Sequence, residues 1–284
     1  LLEVSVEVSF LKGGKRVVRL RNLYSLLIFV FGILSSESFS ETQKVYAPEP
    51  WQIGLQSPGS NSAVMMHDFY NLLLVIIIFI ALFVSALLIY VSVRFREEKN
   101  PIPSKVTHHT GLEIVWTLIP ALILVVIAIP SFRLLRHQIE LPKEDLLIKA
   151  TGHQWYWSYA YPNLSEGSIQ FDSTLIPEDK LKPGDVRLLS VDNEMVVPVG
   201  KVVRLQLTAS DVIHAFALPA LGLKMDAIPG RLNETWFKPD KEGLYYGQCS
   251  IICGQNHAYM PIAVRVVSQE AYDQWVRKAR ETFS

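Results

Sequence analysis

Residues 69–93 read FYNLLLVIIIFIALFVSALLIYVSV, and residues 114–132 read IVWTLIPALILVVIAIPSF. The first run lies between Asp68 and Arg94, the second between Glu113 and Arg133, and neither contains a charge. A helix needs about 20 apolar residues to cross the ~30 Å hydrocarbon core of a bilayer, so both runs are long enough. Neither shows the one-sided apolar stripe of a soluble surface helix. The competing reading, a buried helical hairpin in a soluble protein, fits these lengths poorly. The runs therefore predict two transmembrane helices, over 69–93 and 114–135, joined by a loop over 94–113. Pro120 and Pro130 fall in or near the second helix, where a kink is tolerated in a packed bundle.

The flanks give an orientation. Arg94, Arg96, Lys99 and Lys105 lie in the loop, whereas residues 45–68 hold no Lys or Arg. The positive-inside rule places the loop in the cytoplasm and both outer ends on the opposite side. Arg133 and Arg136 pull the other way. Further upstream, Lys12, Lys15, Arg16, Arg19 and Arg21 precede an uncharged, mostly apolar stretch over 22–36, and Ser38 and Ser40 precede Glu41. That order predicts a signal peptide over 1–40, with a short uncleaved anchor as the alternative, and it agrees with the loop. Residues 41–68 are then an extracytoplasmic segment, with Pro48, Pro50, Pro58 and Gly59 marking a loop within 45–62.

Composition narrows the class. The 284 residues carry 27 basic and 27 acidic groups, which argues against a nucleic-acid binder, and half are apolar, which excludes a disordered chain. Two cysteines exclude a disulfide-stapled scaffold. Residues 1–139 hold 12 basic and 9 acidic groups, and residues 140–284 hold 15 and 18, so a membrane-facing front gives way to a water-facing back. From Leu146 short alternating runs appear. Strands are expected over 146–148, 186–191, 196–199, 202–207, 245–246 and 262–267, with turns at Pro183-Gly184, Pro229-Gly230 and Glu242-Gly243. This predicts an all-β sandwich or barrel over 146–268. Tyr272, Trp275, Val276 and Ala279 have helical spacing and predict a terminal helix over 269–284.

The densest chemistry is Cys249-Ser-Ile-Ile-Cys253-Gly-Gln-Asn-His257-Ala-Tyr-Met260. Two thiolates, an imidazole and a thioether within one turn-rich loop suit copper; zinc accepts Cys and His but a thioether poorly. His214 comes earlier, expected at the end of a strand, and supplies a second imidazole. A mononuclear blue site needs one thiolate, so the second is free to bridge two coppers. Each copper takes one histidine, and the weak positions fall to Met260 and a carbonyl between the cysteines. A disulfide or a buried thiol pair is the alternative use of Cys249 and Cys253. A second motif, Gly152-His-Gln-Trp155-Tyr-Trp-Ser-Tyr-Ala-Tyr161, reads either as an aromatic core strand or as that strand with one exposed ring beside the metal.

These motifs are similar to those of subunit II of haem–copper cytochrome c oxidases of the bacterial or mitochondrial type. The resemblance covers the hairpin, residues 152–159, residues 218–231 with Gly222-Leu-Lys224 and Asp226-Ala-Ile-Pro-Gly-Arg231, Tyr245-Tyr-Gly-Gln-Cys249, and Asn256-His257 to Met260-Pro261. It implies a cupredoxin-like sandwich behind the transmembrane hairpin. It implies a dinuclear CuA centre held by His214, Cys249, the main-chain carbonyl of Ile251, Cys253, His257 and Met260. It further implies that Trp155 receives the electron from cytochrome c, and that Glu113 lies at the mouth of a proton channel in subunit I. Read alone, Glu113 is a helix-start carboxylate favoured by the helix dipole. The implied partners are subunit I, subunit III, cytochrome c and the membrane. The implied location is the bacterial inner membrane, with the copper domain on the periplasmic side.

Three positions depart from that pattern. Ile251 stands where the family has Glu, which leaves the carbonyl ligand but removes a carboxylate that helps hold magnesium at the boundary with subunit I. Ala160 and Ser210 stand where acidic residues often help dock the cytochrome, leaving Asp172, Asp192 and Asp211 as docking candidates. The rival readings are a copper chaperone of the Sco type and an oxidase subunit with a different electron donor. A quinol-oxidase subunit lacks the copper ligands present here.

Overall fold

Two sheets and a helical hairpin are built from residues 44–164 and 167–283, the residues described by this computed structural model. The signal peptide expected over 1–40 lies outside them. The hairpin is α1 (Asn61–Arg94) and α2 (Thr110–Ile139), preceded by a two-residue strand β1 (Val45–Tyr46). The apolar side chains of both helices are largely exposed along their length, as a lipid-facing pair requires. Each helix runs beyond its apolar stretch. Helix α1 starts eight residues before Phe69, because Ser60 caps it: its Oγ accepts from Ala63 N at 3.1 Å. At ~1.5 Å per residue it is ~51 Å long, well over the hydrocarbon thickness. Helix α2 starts at Thr110 under a cap from His109, whose Nδ1 accepts from Leu112 N, and continues through Pro120 and Pro130. The connecting loop is thus shorter than expected.

The chain then enters β2 (Leu146–His153), β3 (Tyr156–Leu164), β4 (Gly167–Ser173), β5 (Met195–Pro198), β6 (Val203–Ala209), β7 (His214–Leu218), β8 (Leu223–Ala227), β9 (Asn233–Phe237), β10 (Gly243–Cys249) and β11 (Pro261–Val267), and closes with α3 (Gln269–Phe283). One sheet has the order β4-β3-β2-β6-β9; the other has β5-β11-β10-β7-β8, with β1 pairing in parallel along the start of β10. Alternation explains the first sheet. Trp157, Tyr159 and Tyr161 on β3 and Val203, Leu205 and Leu207 on β6 are buried, while their neighbours are not. Strands β10 and β11 are buried almost continuously, because Leu189 and Val191 pack on the outward side with Leu244, Tyr246 and Ala263.

That lid is where the expected strand over 186–191 lies. It is a turn segment in which only Val191 forms a bridge, to Leu175, and Leu189 and Val191 are buried without being paired in a ladder. The segment 45–62 is also more than a loop, since it holds β1 and the first two residues of α1. His214 opens a strand rather than ending one. The terminal helix α3 lies where its spacing predicts. Trp275 packs against Tyr161 and Phe171, and Phe283 stacks on Phe171.

Candidate metal centre

Strands β7 and β10 pair at one end of the sandwich, with Cys249 opposite Phe216, and Ser250 N donates to the Ala215 carbonyl at 3.1 Å. This register sets the last residue of β10 beside the first of β7, so Cys249 meets His214. The loop to β11 folds back on itself. His257 N donates to the Gly254 carbonyl (3.2 Å), Tyr259 N to the Asn256 carbonyl (2.9 Å), and Cys249 N to the Met260 carbonyl (3.3 Å). The last of these closes the loop, and its four donor side chains converge.

The donor atoms form one connected cluster. Cys249 Sγ lies 3.9 Å from Cys253 Sγ, 3.9 Å from His214 Nδ1 and 3.3 Å from the Ile251 carbonyl. Cys253 Sγ lies 3.5 Å from both His257 Nδ1 and Met260 Sδ. Both cysteines are free thiols, which sets aside the disulfide. His214, Cys249, Cys253 and Met260 are buried; Ile251 and His257 are half-buried. Both imidazoles turn Nδ1 inward. Buried soft sulfur with two imidazoles fits copper, and the thioether would be a poor donor to zinc.

The surroundings tune these groups. Burial opposes ionisation of Cys249, but hydrogen bonds from His214 and from the backbone of Ala215 outweigh it and bring the thiol below its ordinary value. Cys253 goes the other way, raised by burial and by the neighbouring Cys249. His214 Nε2 donates to Asp211 Oδ1 at 2.9 Å. Asp211 is raised by its own burial but held below the ordinary carboxylate range by bonds from His214, Val212 N and Gln154 N.

The other expected residues divide. Trp155 sits in the tight β2–β3 turn and is half-buried rather than exposed, its indole against the copper loop: a Cβ added at Gly254 would meet its Cζ2 at 2.9 Å. Asp172, Asp192 and Asp211 share the metal-bearing end. Asp172 accepts from Ser158 Oγ (2.6 Å), Ser158 contacts His153 Nε2 (2.9 Å), and His153 Nδ1 contacts Ser210 Oγ (2.8 Å), next to Asp211. Asp192 accepts from Thr174 N and Oγ1, and its neighbour Asn193 donates to the Asp172 carbonyl. Glu113 is not brought to the site. It lies in the first turn of α2, ~39 Å of helix away from Ile139, and accepts from His109 N. Three neighbours of the cluster were missed from the residues alone: Gln154, whose Nε2 donates to the Cys253 carbonyl at 2.8 Å; Trp157, edge-on to His214; and Asp211 in its inward role.

Residues 48–134 match the model of the cytochrome c oxidase subunit II transmembrane domain, and residues 146–267 match that of the subunit II periplasmic domain. A probable cytochrome c oxidase subunit 2 of Rickettsia bellii is 50% identical over 250 residues, 88% of this chain and 91% of that one. The chain belongs to the cytochrome c oxidase subunit II family. The subunit 2 of Cereibacter sphaeroides is 41% identical over 271 residues, 88% of either chain. The crystal structure of the subunit II periplasmic domain of Bradyrhizobium japonicum shares 61% identity, with a TM-score of 0.48, and covers 51% of this chain and all of that one. Subunit II is a membrane component of an oxidoreductase complex, and membership spans both the hairpin and the sandwich. A single-anchor copper chaperone of the Sco type is thereby set aside.

Proposed function

We propose that this chain accepts electrons from cytochrome c at a dinuclear copper site and passes them to the haem of subunit I, where O2 is reduced to water and protons are pumped. The observation that carries the reading is the convergence of two thiols, two imidazole Nδ1 atoms, a thioether and a carbonyl, each within 3.3–3.9 Å of a cysteine sulfur. Two copper ions would be held by Cys249, Cys253, His214, His257, Met260 and the Ile251 carbonyl. A copper pair held in this way supplies reversible one-electron transfer. The chain's own part is to bury the sulfur, fix both imidazoles and leave no position for a substrate, so the O2 chemistry belongs to another subunit. Trp155, packed on the loop at Gly254 beside Cys253, offers an aromatic route from an outside donor to the metal. Asp172, Asp192 and Asp211 border that end and suit a basic cytochrome; Ala160 and Ser210 favour a donor less dependent on charge.

The sandwich stands on the periplasmic side of the bacterial inner membrane in this reading, and the Glu113 end of the hairpin on the cytoplasmic side, at a proton-channel mouth in subunit I. Subunit III completes the partners. Ile251 offers no carboxylate to a hard cation, so a magnesium ion at the subunit I boundary is weakly held or missing. EPR and metal analysis of the purified oxidase test this. Two coppers in this subunit sharing one unpaired electron are expected, with both lost in Cys249→Ser. One copper, or the four-line pattern of a localised Cu(II), overturns the reading. Cells grown in Mn²⁺ should show no tightly bound manganese at the boundary, and a full-strength signal there would remove the magnesium argument.

A further inference from the structure

Asp211 has two carboxylate oxygens, and both accept hydrogen bonds from the domain. Oδ1 accepts from His214 Nε2 at 2.9 Å and from Val212 N at 2.6 Å; Oδ2 accepts from Gln154 N at 2.7 Å. The Gln154 side chain then reaches the other half of the cluster, where its Nε2 donates to the Cys253 carbonyl at 2.8 Å. A closed path results: His214, Asp211, Gln154, Cys253. His214 and the two cysteines already lie together on the inside of that path. Trp155 follows Gln154 in the chain and rests on Gly254, which follows Cys253.

We infer that Asp211 is a positioning residue that holds His214 with Nδ1 free for copper and, through Gln154, fixes the Trp155 turn against the copper loop. This rests on the copper reading above. The physical grounds are two. A ring nitrogen that donates to a carboxylate cannot be the ligating one, so the bond to Oδ1 selects Nδ1 for the metal and orients the ring. A charge-assisted bond is also roughly twice as strong as a neutral one, so a carboxylate at 211 locks the ring and the Gln154 peptide more firmly than a hydroxyl or amide would. His214 itself is fully buried, and its Nε2 donates to Asp211. Docking, the role the sequence suggests for Asp211, needs neither bond.

The test uses the assembled oxidase with Asp211→Ala and Asp211→Asn. In Asp211→Ala, copper affinity measured against a chelator should fall ~10–100-fold, the range found for outer partners of metal-bound histidine. Electron–nuclear double resonance after incubation in D2O should show the His214 ring proton replaced by deuterium, where the parent retains it. The reduction potential of the copper should rise, since a negative charge bonded to a ligand is gone. Asp211→Asn keeps an acceptor for His214 but sets an N–H against Gln154 N. It should retain the ring proton and the copper, yet accept electrons from the reduced donor several-fold more slowly at unchanged KM. If Asp211→Ala does not assemble, Asp211→Asn and Gln154→Ala carry the test through that same rate. A parent that binds no copper overturns the underlying reading. A parent that binds two, with variants matching it in affinity, proton exchange, potential and rate, overturns this inference alone.

Discussion

Gly152 shows how tightly single residues are set around the metal. It lies in β2 behind His214, and a Cβ there would fall 2.9 Å from the ring Cδ2 and 3.0 Å from Cγ. The imidazole is also met edge-on by Trp157 and bonded to Asp211, so it cannot simply yield. Gly152→Ala is therefore expected to cost about 1–3 kcal/mol, as overpacking does, and to displace the ring. Urea denaturation of the copper-free protein gives the first quantity, and the EPR hyperfine pattern after copper loading gives the second; unchanged values in both would show that the ring has room. At this scale the ligands were legible in the sequence, since spacing within one loop and the softness of the donors follow from residue type. The inward use of Asp211 was not, because a carboxylate three residues before a histidine is compatible with docking until the turn between them is seen. The exposed ring expected at Trp155 failed for a similar reason. A turn residue is usually open, but this turn lies under the copper loop, which covers one face of the indole.

Strand β1 is only two residues long, yet it pairs with β10, the strand that ends in Cys249. Tyr46 is almost fully buried and stacks on Tyr245 with ring centroids 4.1 Å apart and planes 5° from parallel. Emptying that position with Tyr46→Ala should destabilise the sandwich by about 3–5 kcal/mol, the usual loss for a buried aromatic ring. A calorimetric scan of the purified chain checks it, and a loss under 1 kcal/mol would mean that β1 is ornament on the sheet. Nothing in residues 45–62 announces this strand, for two residues give no period and the surrounding prolines read as loop. The helices were far more legible, because bilayer thickness demands a long apolar run. Their ends were misjudged because Asn61, Ser62, His67 and Asp68 are helical but polar, standing beyond the hydrocarbon. The expected strand over 186–191 misled through its β-branched, apolar composition. Burial explains that composition equally well, and here burial comes from lying across β10 and β11.

Taken as a whole, the molecule is neutral, with 27 charges of each sign, and neither Ala160 nor Ser210 offers a carboxylate to a basic donor. Ala160 is half-buried on the outward row of β3, and Ser210 is tied to His153. Surface charges are screened over about 8–10 Å at physiological ionic strength, so the dependence of donor association on salt should be shallow. Ala160→Glu with Ser210→Glu should steepen it, as read from the KM for reduced cytochrome c between low and high salt; equal slopes would mean that apolar contact alone governs docking. The same end is carried on a doubly fastened base. Gly59 N donates to the Ala220 carbonyl and Asp240 N to the Gly59 carbonyl, Ser60 Oγ donates to the Leu221 carbonyl, and Ser62 contacts His137, which lies edge-on to Trp236. On the other chain crossing, Asp145 N donates to the Val202 carbonyl, and Arg204 binds the Pro142 carbonyl and Glu144. A single tether would let the sandwich swing on its stalk, and the gap an electron must tunnel would then vary from moment to moment. With both crossings pinned, the elevation of the redox centre above the lipid becomes a dimension of the fold. Tunnelling falls exponentially with distance, so a rigid pedestal makes the molecule a conductor of constant resistance.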